Sequence, residues 1–152
     1  MCYRGDTFIR YSEALPILEK VKANATHFLN NKVHPSKPFG LRSNFTDYQD
    51  KPFKGSLALY RYGGKSFVKD SLVEINRESI DKWKVLIGKG YNGGDNFPHQ
   101  IMAEPIISEP GSICTETYLI LETFTNQKDA VKFARYVKTR LFRFLVALRK
   151  NT

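Results

Sequence analysis

The sequence predicts an α+β fold: a mixed, mainly antiparallel sheet packed with an N-terminal helix and a long basic C-terminal helix. Three observations predict it. Apolar residues recur at helical spacing near both ends of the chain. Short β-branched runs lie between those ends, and glycines and prolines punctuate the runs where hairpins need turns. A chain of 152 residues that is 41% hydrophobic and 13% aromatic can bury a core as a single domain, 1–152, without a metal or disulfide.

The first helix is expected from Ser12 to about Lys32, because Leu15, Leu18, Val21, Ala25, Phe28 and Leu29 fall on one face. Ser12 can cap it, and Pro16 is tolerable only in its first turn. Residues 34–52 carry three prolines and read as an irregular, basic segment. Gly55 to Tyr62 is expected as a strand turning at Gly63-Gly64, with a return strand from Ser66 to Ile75. Asn76 is placed to cap a short helix to Lys82, and Lys84 to Ile87 reads as a buried strand. Gly88, Gly90, Gly93 and Gly94 break the chain into a loop. Two strands are expected around 106–107 and 113–122, separated by Pro110-Gly111. Asn126 then caps one continuous helix from Gln127 to about Leu148.

Charge is the strongest functional signal. Lys and Arg number 24 against 15 Asp and Glu, a net +9 that favours polyanions, nucleic acid first among them. It is unevenly spread: residues 32–89 hold twelve basic and six acidic side chains, whereas residues 90–129 hold Lys128 against six acids. After Asp129 there are seven cations and no acid. On a continuous helix Lys132, Arg135, Arg143 and Lys150 lie opposite the apolar face, the arrangement needed to touch a phosphate backbone; a solvated basic face is the alternative.

Enzyme motifs are sparse. Cys2 and Cys114 lack ligand-spaced partners, which argues against zinc and for a reducing compartment. His27, His34 and His99 show no metal-ligand spacing, and Gly88 to Asp95 matches neither a P-loop nor a dinucleotide fingerprint. With no apolar run long enough to span a membrane, no membrane partner and a cytoplasmic location are expected. Asp70, Glu74 and Lys84 are the candidates for a metal-dependent nuclease centre. The acidic stretch 90–129 is the candidate for a protein-protein module that docks a basic partner.

The segments Lys37-Pro38-Phe39-Gly40-Leu41-Arg42-Ser43-Asn44-Phe45, Asp81-Lys82-Trp83-Lys84-Val85-Leu86-Ile87 and Cys114-Thr115-Glu116-Thr117-Tyr118-Leu119 resemble restriction-modification adenine-N6 DNA methyltransferases, within their C-terminal target-recognition region. Thr139 to Val146, followed by Lys150-Asn151-Thr152, is similar to the basic helix that closes that region. The cofactor loop and the Asn-Pro-Pro-Tyr/Phe motif are missing. The resemblance therefore implies a non-catalytic fragment that recognises duplex DNA for a catalytic domain elsewhere in a methylase, an endonuclease or a fused bacterial enzyme. S-adenosylmethionine or magnesium would belong to that parent, and no cofactor is expected in the chain itself. Relatives continue where this chain stops at Thr152, as expected for a fragment.

The expected base-edge contacts are Arg42 and Asn44, since arginine pairs guanine and asparagine pairs adenine with two hydrogen bonds each, followed by Asn92, Asp95 and His99. Lys37, Lys65, Lys89, Lys132, Arg135 and Arg143 are the expected phosphate contacts. The expectation underneath both sets is that the cations of the closing helix and of the proline-rich segment converge on one surface.

Overall fold

Two three-stranded sheets, each built around one central strand, organise the fold in a computed structural model that describes residues 12–26, 29, 32–34, 36–90 and 101–148. The chain begins with α1 (Ala14–Asn24), continues through β1 (Ser56–Arg61), β2 (Gly64–Lys69), β3 (Trp83–Gly88), β4 (Ile106–Ser108), β5 (Ser112–Cys114) and β6 (Tyr118–Phe124), and ends with α2 (Gln127–Val137) and α3 (Arg140–Ala147). One sheet has the order β2-β1-β5 and the other β4-β3-β6. Every pairing is antiparallel except β1 with β5. The α+β class follows the sequence reading; the division into two sheets does not.

The β1–β2 hairpin forms where Gly63-Gly64 announces it. Arg61 pairs with Gly64, and Gly63 takes a φ of 85° that a side chain would disfavour. The return strand stops at Lys69 in favour of a 3-10 turn, Asp70–Leu72. A second 3-10 turn, Arg77–Ser79, replaces the short helix expected after Asn76, which is itself left-handed and makes no side-chain cap. The run 113–122 divides at Thr115–Thr117. There the amide of Tyr118 donates to the carbonyl of Thr115 at 3.1 Å, and the chain leaves β5 beside β1 to enter β6 beside β3.

Apart from Lys84, β3 is apolar because both of its faces are covered. Leu86, with Ile120 of β6, enters a core shared with the other sheet, where Phe39, Leu41, Leu57, Leu59, Val68 and Ile113 meet. Val85 and Ile87, with Leu121 of β6, enter a second core beneath Ala130, Ala134, Val137 and Phe142 of the C-terminal helices. The β3–β6 sheet thus separates two cores, and the described segments packed on it each join one of them.

Both helical expectations need correction. α1 ends at Asn24, not Lys32: the Asn24 side-chain amide donates to the carbonyl of Lys20 at 2.7 Å, and Ala25 turns extended. Ser12 serves the helix through its backbone carbonyl, which accepts from Leu15, with no side-chain cap. The C-terminal helix is two helices, because Thr139 is extended and caps α3. Its hydroxyl oxygen accepts from the Phe142 amide at 3.2 Å while the hydroxyl donates to the Tyr136 carbonyl at 2.7 Å. Asn126 caps α2 as expected, accepting from the Asp129 amide at 2.9 Å.

Among the described residues one charged side chain lies fully inside. Lys84, at 0% exposure on β3, donates from Nζ to the carbonyls of Ser79 (3.0 Å), Ile80 (3.0 Å) and Lys82 (2.7 Å), so a single ammonium satisfies the turn that leads into its own strand. Burial pushes its pKa down to about 8. Replacing Lys84 by Met leaves those carbonyls without a donor and is expected to cost about 3 kcal/mol in denaturant unfolding. The pH dependence has a definite sign. Between about pH 8 and 9 the unfolded chain holds this proton more tightly than the folded one, so Lys84 by itself adds about 1 kcal/mol of stability as pH rises. The buried Cys114 thiol, pushed up to about 12, opposes the rise from its unfolded value near about 8.5 upward. In the Lys84→Met variant the pH 8–9 rise should vanish.

Candidate nucleic-acid interface

The proline-rich segment is pinned to the inter-sheet core by alternate residues. Phe39 and Leu41 are buried, and the exposed Arg42, Ser43 and Asn44 follow directly. Two turns set the geometry. The Gly40 amide donates to the Lys37 carbonyl at 2.9 Å with Lys37 at φ 41° and Gly40 at φ 78°, and the Phe45 amide donates to the Arg42 carbonyl at 3.2 Å. The second turn displays Ser43 and Asn44 at its tip.

Glu116 fixes that turn from outside. Its Oε1 accepts from the Ser43 amide at 3.1 Å and from the Ser43 hydroxyl at 3.4 Å, while the Glu116 amide donates to the Leu41 carbonyl at 2.9 Å. Glu116 sits in the turn where the chain changes sheets. The same turn holds the end of β3, since the Lys89 amide donates to the Thr117 carbonyl at 2.8 Å. The Ser43 amide, then the charges of Lys37 and Lys89, hold the Glu116 carboxyl below the usual glutamate value. The charges of Lys37 and Lys89, remote from each other in sequence, therefore act on one carboxylate, and that carboxylate holds the turn whose Ser43 stands between the exposed Arg42 and Asn44.

The remaining expected contacts are elsewhere. α2 and α3 cover the face of the β3–β6 sheet opposite the core that receives Phe39 and Leu41. The cations of the closing helices and those of the proline-rich segment consequently do not converge on one surface, and the break at Thr139 removes the continuous helical wheel that grouped Lys132, Arg135 and Arg143. Lys132 pairs with Asp129 at 3.3 Å, and Arg143 pairs with Glu104 at 3.3 Å, a carboxylate that Lys138 also engages. Arg135 is exposed on α2. Lys65, on the edge strand β2, is bound to Glu109, which also accepts from the Tyr60 hydroxyl at 2.6 Å. Asn92, Asp95, His99 and Lys150 lie outside the described residues.

Two of the three nuclease candidates are occupied, while Glu74 is exposed. Both oxygens of Asp70 accept from Arg77, at 3.1 and 2.8 Å, and Lys84 is enclosed by carbonyls, so the nuclease trio has no free lysine. Among the described residues no group of three His, Cys, Asp or Glu side chains is placed to hold a metal ion. No described helix is long and apolar enough to cross a membrane. Comparison of the chain with protein-family models, curated proteins and solved structures finds no match in any of the three.

Glu116 is the residue that sequence reasoning passed over as a site member, because one acid in a Thr-Glu-Thr turn has no local signature. Its role is open to a direct check by amide hydrogen exchange. In a Glu116→Ala variant the Ser43 amide should lose protection while β1 and β2 keep theirs. In the parent chain that protection should persist as pH falls past the ordinary glutamate value near about 4.3 and disappear only below it.

Proposed function

We propose that this chain is a duplex-DNA recognition domain that works in the bacterial cytoplasm within a restriction-modification enzyme, with the catalytic domain, and any S-adenosylmethionine or magnesium, supplied by other parts of that enzyme. One observation carries the reading. Arg42 and Asn44 stand exposed on a turn that Glu116 holds, and the charges of Lys37 and Lys89 act on the same carboxylate, in a chain of net charge +9. Phosphate contacts position a protein on DNA, and side chains with two donors or a donor and an acceptor read base edges. Lys37 and Lys89 flanking Arg42 and Asn44 supply both kinds. The resemblance of residues 37–45, 81–87 and 114–119 to target-recognition regions agrees with it.

The competing readings fare less well. Four acids of the 90–129 stretch are already committed within the chain: Glu104 to Lys138 and Arg143, Glu109 to Lys65 and Tyr60, Glu116 to Ser43, and Asp129 to Lys132 and Asn126. A basic partner would have to displace those bonds. A nuclease centre at Asp70 and Glu74 would have to recruit its lysine from inside the fold.

Titration with duplex DNA at several salt concentrations tests the proposal. Lys37→Ala, Arg42→Ala and Lys89→Ala should each lower the slope of log K against log salt by about one unit, whereas Arg135→Ala on the far face should leave it unchanged. Selection from a random duplex pool should yield a preferred sequence, and Arg42→Ala or Asn44→Ala should erase about 1–3 kcal/mol of discrimination at one base pair each. Equal slopes for all four variants would refute the assignment.

A further inference from the structure

An open apolar cleft of about 1470 Å³ lies on the far side of the β3–β6 sheet from the basic turn. α1 lines it with Ile17, Lys20, Val21 and Asn24, at i, i+3, i+4 and i+7, and α3 lines it with Leu141, Phe142, Leu145 and Val146, above a floor that includes Leu121 and Phe133. Within α1 only Ala14 is buried, and Ile17 and Val21 are the apolar side chains that it turns to this cleft, with Lys20 and Asn24 beside them. Ile17 and Leu141, one on each wall, remain 44% and 40% exposed, and together with the other apolar lining residues they form a contiguous patch of the kind that marks interaction sites.

We propose that this cleft receives an amphipathic helix from a partner polypeptide, apolar on one face and acidic along its flanks. Size and shape favour a helix over a small ligand. The cleft exceeds the roughly 300–1,000 Å³ of small-molecule sites, whereas about three turns of helix, some 10–12 Å across, occupy roughly 1,300–1,900 Å³. Two helices that present rows of side chains to one groove offer a surface into which a third helix packs its own ridges. Charge sets the flank: among the described lining residues there is no carboxylate, Lys20 lies in the wall, and Arg140 immediately precedes the α3 stripe.

The probe is a fluorescent, helix-stabilised peptide of about three turns with leucines at i, i+3, i+4 and i+7 and glutamates beside them. It is titrated by anisotropy against the full chain. Saturable binding is expected, weakened at least about tenfold by Leu141→Glu or by Ile17→Glu, with far-ultraviolet circular dichroism showing that these exposed substitutions leave the fold intact. Exchanging the peptide glutamates for lysines should weaken binding to the parent chain, and Lys20→Glu should reverse that preference. The proposal is overturned by an absence of saturable binding, by equal binding of the acidic and basic peptides, or by dodecanoate occupying the cleft in a form the peptide does not displace.

Discussion

The two-faced burial of the β3–β6 sheet is the constraint on which the rest of the molecule depends. Leu86 and Ile120 face one core while Val85, Ile87 and Leu121 face the other. Every segment that packs on this sheet is thereby assigned a side: the proline-rich turns and the β2-β1-β5 sheet to one, α2 and α3 to the other. Lys84 secures the entry to β3, because its ammonium ties down the Arg77–Ser79 turn and the residues after it. A buried cation is costly, and here its hydrogen bonds to carbonyl dipoles offset the loss of water.

The division gives the basic character of the chain a direction. Three of the six cations expected at phosphates, Lys65, Lys132 and Arg143, face a carboxylate of the chain itself, so their charge is partly cancelled before any polyanion arrives. Such pairs contribute little to stability at an exposed surface, but a phosphate must compete with them. Around Arg42 and Asn44 the pattern is inverted. One carboxylate, Glu116, spends its Oε1 on the Ser43 amide and hydroxyl, and Lys37 and Lys89 are the cations that surround it. The acid holds the turn in shape, and the net charge of the neighbourhood stays positive.

Much of this fold is legible in the residues, for local reasons. The Gly63-Gly64 turn, the β-branched run of β3 and the Asn126 cap each carry their signal within a few positions, and each appears where that signal puts it. The misses share a cause. Apolar periodicity continues in phase through Ala25 and through Thr139, so it cannot show that Asn24 closes one helix with its side chain or that Thr139 opens another. The site is half legible on the same grounds. That Arg42 and Asn44 are exposed follows from the turn-rich segment that bears them, whereas their neighbours Glu116 and Lys89 arrive through long-range hydrogen bonds, and the sheet face that separates them from α2 is decided by tertiary packing alone.

Backbone amide shifts of the isotope-labelled chain, recorded as duplex DNA is added, would locate the binding surface without presupposing it. The account predicts the largest changes at residues 37–45, 88–90 and 115–117, with α2 and α3 nearly unmoved. Changes concentrated on α2 and α3, with residues 37–45 unaffected, would contradict it.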